Sequence, residues 1–173
     1  MIEIREATTE TEFQQVGELH HEFMGWLRET YPEIIHLMED FFTRVEADIK
    51  SFPGAYAPPS GALLLATDEG KSVGTVGLAD LGEKQCEMMR LYVNPKARGK
   101  KIGFVLAREL IAAARNIGYL QMRLNTGRRH YAAISLYQSL GFVEINQEIN
   151  EANANPDVPY DLKKGIISMA LKL

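Results

Sequence analysis

The chain has 173 residues, with 19 Lys and Arg against 23 Asp and Glu, and a formal net charge of -4. This length suits a single domain spanning residues 1–173, and 46% hydrophobic residues are enough for a buried core. The mild acidity argues against a general nucleic-acid-binding protein, which usually has a basic excess. A local basic site remains compatible with this total.

The cysteine content and the N-terminus restrict the class of protein further. The single cysteine, Cys86, excludes an internal disulfide framework and zinc sites built from cysteine pairs. The N-terminal segment MIEIREATTETEF carries acids where a signal peptide would have an apolar stretch. The apolar run from Ala62 to Ala66 is too short to cross a bilayer. We therefore expect a cytoplasmic protein with no metal and no membrane or nucleic-acid partner.

Hydrophobic periodicity and turn residues predict the elements in chain order. The first half contains a strand at 2–7, a helix from 8–11 to Leu27 with His20 on its packed stripe, a second helix from Pro32 to Ile49, a loop at 52–61, and strands at 62–67, 72–79 and 86–93. The second half contains a helix at 103–117 with Ile117 on its packed face, a strand at 119–125 with Leu120 facing inward, a helix at 131–140, and strands at 142–145 and 166–172. This order predicts a mixed α/β (α+β) sheet joined largely by hairpins, with one parallel strand–helix–strand crossover at 86–125.

The segment 94–103, NPKARGKKIG, links the strand and the helix of that crossover. It places four cations beside two glycines at a helix start: Lys96, Arg98, Lys100 and Lys101, with Gly99 and Gly103. Free N–H groups, the helix dipole and glycine together favour a phosphate or pyrophosphate site. A solvated basic turn is the alternative. The Walker A pattern and the dinucleotide pattern GxGxxG are both absent.

Two stretches resemble the GNAT superfamily of N-acetyltransferases. The first is MMRLYVNPKARGKKIG with the alanine-rich helix after it, which resembles the acetyl-CoA-binding motif [Q/R]-x-x-G-x-[G/A]. Arg98 and Gly103 match the ends of that motif, whereas Lys101 stands where the inner glycine is usual. The second is AAISLYQSLGF at 132–142, which resembles the helix and strand that follow the cofactor site. His130 stands where the family often has asparagine.

The resemblance implies a fold and a co-substrate. The fold is a mixed, mostly antiparallel sheet of six or seven strands flanked by about four helices. Acetyl-CoA is the implied co-substrate, and its pantetheine arm would pair with the backbone of Leu91, Tyr92 and Val93. The implied pyrophosphate-binding residues are Arg98, Gly99, Lys100, Lys101, Ile102, Gly103 and Phe104. His130 is a further implied cofactor-side residue.

The resemblance also implies catalytic roles for two residues. Tyr137 matches a family tyrosine that can protonate the departing thiolate, and the alternative for Tyr137 is a packed aromatic side chain. Glu87 lies where some members place a general base, acting directly or through water, and its alternative is an exposed strand glutamate. A backbone N–H near Leu91 or Val93 is the implied oxyanion donor. Cys86 has no paired histidine, so we expect direct transfer rather than an acetyl-cysteine route.

The acceptor is not identified by the sequence. A small-molecule amine and a protein amino group both remain open, as does a homodimer. In this family the first two helices wall the acceptor site, so Trp26 and Tyr31 either touch substrate or only pack. The polar stretch 146–165 carries four acids against Lys163 and Lys164, namely Glu148, Glu151, Asp157 and Asp161. It is either an acidic rim that attracts a cationic amine or a solvated loop.

Two other functions compete with an N-acetyltransferase. The first is a non-catalytic acyl-CoA-binding or regulatory module on the same fold, which would bind the cofactor without turnover. The second is nucleic-acid binding, which the acidic balance disfavours.

Overall fold

The computed structural model describes residues 1–145 and 165–173. The strands are β1 (Ile2–Glu6), β2 (Ala62–Asp68), β3 (Lys71–Gly82), β4 (Gln85–Val93), β5 (Gln121–Gly127), β6 (Val143–Ile145) and β7 (Ile166–Lys172). The α-helices are α1 (Glu10–Thr30), α2 (Glu39–Ser51), α3 (Ile102–Ile117) and α4 (Tyr131–Ser139). Three short 3-10 helices lie at Pro32–Leu37, Gly54–Tyr56 and Pro95–Ala97.

The strands form one seven-stranded sheet in the order β1-β2-β3-β4-β5-β7-β6. Every neighbouring pair in the described residues is antiparallel except β4 and β5, which run parallel. Helix α3 makes the crossover between these two strands, as a parallel pair requires. The predicted mixed sheet with one parallel crossover is confirmed.

Each face of the sheet is covered by different helices. On one face, α3 buries Leu106, Leu110 and Ala114 against β-strand side chains such as Met122 and Leu124. Each fully buried leucine of this kind contributes about 2 kcal/mol of hydrophobic stabilisation. On the other face, α1 packs against β2 and β3, and α2 packs against α1.

Helix α1 begins at a capping box, which fixes where it leaves β1. The Thr9 hydroxyl accepts a hydrogen bond from the Glu12 amide, and the Glu12 carboxylate accepts one from the Thr9 amide at 3.0 Å. Arg5 of β1 donates to the same carboxylate at 2.7 Å. Hydrogen bonds from the Thr8 backbone and from Arg5 lower the pKa of Glu12 to about 2.

The prediction that His20 packs is confirmed, because its side chain is fully buried.

Three details of the predicted elements are wrong. The helix predicted from Pro32 is a 3-10 helix that ends at Leu37, and α2 starts only at Glu39. Most of its apolar residues, such as Ile34, Phe41 and Val45, join a cluster with α1, and that tertiary contact does not need a continuous helix. Leu120 is 59% exposed rather than inward, because β5 starts only at Gln121 and Leu120 precedes it. Its backbone is held by Lys84 and Leu173 while its side chain faces solvent. Ile117, at the end of α3, is also exposed.

Among the residues that the structure describes, no helix combines the length and the apolar character that a membrane span needs.

Candidate functional site

The parallel strands β4 and β5 are paired at one end and separate at the other. They pair only at Gln85, Cys86 and Glu87, opposite Gln121, Met122 and Arg123. Beyond Glu87, β4 continues along β3 alone, and β5 continues along β7. The β5-facing backbone groups of β4 at 88–93 therefore have no strand partner among the described residues. Such an edge can pair with an extended ligand that carries amide groups.

A β-bulge lies where the strands begin to separate. Thr75 faces Tyr92 and Gly77 faces Met89, so Val76 of β3 stands opposite both Arg90 and Leu91. Arg90 has φ 57°, in the left-handed region that a non-glycine residue occupies at a cost of about 1 kcal/mol or more. A bulge of this kind bends its strand. It accounts for the divergence of β4 from β5.

The Arg90 side chain ties this bulge to α2. Its Nη2 and Nε atoms donate to Asp48 Oδ2 at 2.8 and 3.2 Å, and its guanidinium lies over the Phe41 ring. The Tyr56 hydroxyl donates to the same Asp48 oxygen at 3.2 Å. Neither Asp48 nor Arg90 is predicted from the sequence. They are 42 residues apart, and no local pattern marks them.

The loop between β4 and α3 has the features of an anion site. Gly99 has φ 84° with open space around it, and Lys101, the residue before α3, has φ 60°. No side chain caps α3, so the N–H groups at 102–104 lack partners within the described residues. Ile102 is buried and can offer only its backbone, while Gly103 and Phe104 are half-buried. These unpaired amides match the needs of a phosphate group.

Three of the four cations of this loop, Arg98, Lys100 and Lys101, are placed differently. Arg98 Nε donates to the Val93 carbonyl at 3.2 Å, and its guanidinium lies 5.0 Å from the centre of the Trp26 ring. Lys100 Nζ lies 2.6 Å from Asp68 Oδ2, and this hydrogen bond raises the pKa of Lys100 and lowers that of Asp68. Lys101 is exposed and has no ion pair with any described residue. Neither Arg98 nor Lys101 has a carboxylate partner among the described residues, whereas Asp68 neutralises the charge of Lys100.

Glu87 lies at the last paired position of β4, in a short chain of hydrogen bonds across the sheet. Asn125 of β5 donates from Nδ2 to Glu87 Oε1 at 3.0 Å. Ser168 of β7 donates from its hydroxyl to Asn125 Oδ1 at 2.6 Å. Burial raises the pKa of Glu87, and the hydrogen bond from Asn125 and the charges of Arg90 and Arg123 oppose that rise. Glu87 is half-buried rather than a freely exposed strand residue.

Tyr137 lies on α4 and is 7% exposed. Its ring packs edge-on against Phe142, and it belongs to the same apolar cluster as Leu91 and Val93. Its hydroxyl has no hydrogen-bond partner among the described residues. Burial raises the pKa of Tyr137 to about 12, which keeps the phenol protonated at neutral pH.

His130 lies just before α4 and packs against aromatic residues of the first helical segment. Its ring centre is 5.6 Å from that of Trp26 and 5.2 Å from that of Tyr31. Burial lowers the pKa of His130, so the neutral ring is favoured. Trp26 thus contacts both His130, which follows β5, and Arg98, which follows β4.

The remaining predictions from the sequence concern Tyr92, Cys86, the polar stretch 146–165 and metal binding. The Tyr92 hydroxyl donates to Glu22 of α1 at 3.2 Å, so this side chain faces α1 while its backbone runs along the open edge of β4. Burial raises the pKa of Cys86 to about 12, which fits the expectation that it is not a nucleophile. The polar stretch 146–165, predicted as an acidic rim or a solvated loop, lies outside the described residues except for Gly165. In the described residues no three His, Cys, Asp or Glu side chains group as a metal site would require.

The proteins that this chain resembles in sequence are named as acetyltransferases. The model of the acetyltransferase (GNAT) family matches residues 16–142. An uncharacterised N-acetyltransferase of Schizosaccharomyces pombe is 38% identical over 107 residues, covering 61% of this chain and 66% of that protein. The N-acetyltransferase family 8 member 2 of Rattus norvegicus is 35% identical over 103 residues, covering 57% of this chain and 46% of that protein. The chain thus spans less than two thirds of the length of each of these relatives.

Solved structures show the same fold at low identity. A PaiA N-acetyltransferase from Thermoplasma acidophilum, in complex with coenzyme A, has a TM-score of 0.75 at 20% identity, over 100% of this chain and 99% of that one. A GNAT family acetyltransferase from Elizabethkingia anophelis, with acetyl-CoA bound, has a TM-score of 0.63 at 20% identity, over 99% of this chain and 98% of that one. The family model covers well over half of the chain and agrees with this fold. The chain belongs to the GNAT acetyltransferase family.

Proposed function

We propose that the chain acts as one domain that transfers an acetyl group directly from acetyl-CoA to a primary amine in a ternary complex. The acceptor is a small-molecule amine or a protein amino group. The observation that carries this proposal is the seam between β4 and β5. It opens immediately after Glu87, and α3 begins with uncapped N–H groups just beyond the other end of β4.

The open half of β4 and the start of α3 fit the two polar parts of acetyl-CoA. The backbone of Leu91, Tyr92 and Val93 offers amide partners to the pantetheine arm. The N–H groups at 102–104 and the charges of Arg98 and Lys101 suit the pyrophosphate. Solved relatives described as bound to coenzyme A or acetyl-CoA support this choice of ligand.

Glu87 lies where β4 and β5 separate, and the chemical step assigned to it is the removal of a proton from the acceptor amine. An alkylammonium has a pKa near ~10 and must lose a proton before its nitrogen can attack. Glu87 takes that proton, directly or through water. The nitrogen forms a bond to the thioester carbonyl carbon, the C–S bond breaks, and the products are an amide and the thiolate of coenzyme A. An N–H near Leu91 or Val93 donates to the carbonyl oxygen as its charge develops.

Tyr137 serves the departing sulfur in this proposal. Because burial raises its pKa to about 12, the phenol is protonated throughout the physiological range. It donates a hydrogen bond to the sulfur as the C–S bond breaks, and the thiolate is protonated through it. As the amide forms, its nitrogen loses a second proton, which returns to the phenol through solvent. Glu87 releases the first proton to solvent, so the net products are the amide, the thiol of coenzyme A and one proton.

The proposal includes a cytoplasmic location, in line with the lone buried thiol of Cys86. The proposal also places His130 on the cofactor side of the site, because its ring packs against that of Trp26.

The test is a screen for acetyl-CoA-dependent thiol release over a panel of small amines and peptides. We expect release only with particular amines, and initial-rate plots that intersect when both substrates are varied. Parallel plots would indicate a covalent route instead. Tight binding of acetyl-CoA with no release for any acceptor would favour a non-catalytic acyl-CoA-binding module and contradict the proposal.

A further inference from the structure

Trp26 lies where the two halves of the proposed cofactor site meet. It projects from the last part of α1 and is the one tryptophan of the chain. One contact is with Arg98, in the loop that follows β4, and another is with His130, in the loop that follows β5. Since β4 and β5 separate from each other beyond Glu87, the Trp26 ring connects the loops at the ends of both strands.

The Arg98 guanidinium is held between two groups. Nε donates to the Val93 carbonyl at 3.2 Å, and the cation lies 5.0 Å from the Trp26 ring centre. Its two terminal nitrogens make no hydrogen bond to any described residue, so their N–H groups remain available. A guanidinium held in this way can bind two phosphate oxygens without first losing the freedom of a long side chain.

The Trp26 ring is itself held by other aromatic residues. Phe23 stacks near it with 6.3 Å between ring centres, and Tyr31 meets it edge-on at 6.2 Å. His130 fills a further side at 5.6 Å. The surface against which Arg98 lies is therefore fixed by three neighbours, and it does not depend on a mobile side chain.

We propose that Trp26 is a positioning residue for acetyl-CoA, acting by holding the Arg98 guanidinium beside the phosphate-binding start of α3. This inference rests on the proposed function, because it takes acetyl-CoA as the ligand of that loop. It assigns to α1 a task on the cofactor side, in addition to walling the acceptor site. An attraction between a cation and an indole ring at this exposure corresponds to a change in affinity of about three- to ten-fold.

The test combines acetyl-CoA affinity, measured by isothermal titration calorimetry, with the fluorescence of the single tryptophan. In the wild type we expect a spectral change that saturates at the dissociation constant found by calorimetry. Trp26→Leu should weaken acetyl-CoA binding about three- to ten-fold and leave kcat at saturation within about two-fold. Trp26→Phe, which keeps an aromatic face, should recover most of the affinity.

A double-mutant cycle separates positioning from general support of the fold. If Trp26 acts through Arg98, Trp26→Leu should have no further effect on affinity in an Arg98→Ala background. The matched control is Arg28→Ala, which removes another cation–aromatic contact on α1, the one over Phe42 at 4.2 Å. Arg28 is exposed and distant in sequence from the cofactor loop, so acetyl-CoA affinity should not change.

Several outcomes would overturn the inference. Unchanged acetyl-CoA affinity in Trp26→Leu would do so, as would fully additive effects with Arg98→Ala, or an increase confined to the KM of the amine. Should Trp26→Leu not fold, the fluorescence of Arg98→Ala decides: the acetyl-CoA response should fall by half or more, and an unchanged response contradicts the inference. A wild type that does not bind acetyl-CoA overturns the proposed function as well, whereas binding and turnover without a Trp26 effect overturn this inference alone.

Discussion

The paired and open ends of the β4–β5 seam are built by different means. At the paired end, Glu87, Asn125 and Ser168 come from three strands and are joined by side-chain hydrogen bonds. At the open end, the groups proposed to bind acetyl-CoA are backbone amides and cations from a continuous stretch, 91–104. The difference suggests a division of labour, in which the paired end handles protons and the open end holds the co-substrate. Substitutions at the two ends should therefore affect different kinetic parameters.

The largest effect is expected from Tyr137→Phe, which removes only a hydroxyl. We expect kcat to fall about 100-fold, because the departing sulfur loses its donor, while the KM for acetyl-CoA stays within about two-fold. Thermal stability should hardly change, since that hydroxyl has no partner among the described residues. The control is Tyr131→Phe, on the same helix and 74% exposed, which should keep full activity. A Tyr137→Phe enzyme with wild-type kcat would show that the tyrosine only packs.

At the paired end, Glu87→Gln should lower kcat about 10- to 100-fold. Activity requires ionised Glu87, so kcat/KM of the wild type should fall as the pH drops through its raised pKa. Asn125→Ala removes a hydrogen bond that lowers this pKa, so the acidic limb should move to higher pH. Measured pH–rate profiles check both statements. An acidic limb that is unchanged in Glu87→Gln would assign it to the amine and not to Glu87.

At the open end, the two adjacent lysines should differ. Lys101→Ala removes an unpaired cation and should weaken acetyl-CoA binding about five-fold. Lys100→Ala removes a cation that Asp68 already neutralises, and should weaken it less than about two-fold. Titration calorimetry at two salt concentrations makes the comparison, because the Lys101 contribution should shrink at high salt. Equal losses for the two lysines would mean that the Asp68 contact does not restrain Lys100 in solution.

The smallest effect concerns the backbone of Lys101. This residue occupies the left-handed region, φ 60°, where the family usually has glycine. Lys101→Gly should therefore raise the free energy of unfolding by about 1 kcal/mol in the absence of ligand. Urea unfolding measures it, and Lys101→Ala is the control that keeps the strain and should show no gain. Stabilisation by alanine as well would point to charge repulsion in the loop instead.

The paired and open ends of the β4–β5 seam also differ in how much of each could be predicted from the sequence. The open end was predictable because its parts are contiguous: a strand, a glycine-containing basic turn and a helix start, matched to a family motif. The paired end was predictable only at Glu87. Strand order brings Asn125 to Glu87 and Ser168 to Asn125, and Asp48 reaches Arg90 across 42 residues, so no local pattern indicates these contacts. The split of the second helix at Met38 and the exposed Leu120 were missed because tertiary packing, and not periodicity, decides them.

The most direct test of the account is to mix a preformed acetyl-CoA complex of the protein with a responsive amine and follow product and protein by mass spectrometry. The account predicts no acetylated protein before the amine is added. It then predicts an acetylated amine that appears together with free coenzyme A, in a burst that Tyr137→Phe slows about 100-fold. An acetylated protein that forms before the amine arrives, or an acetyl-CoA complex that yields no amide with any amine of the panel, would contradict it.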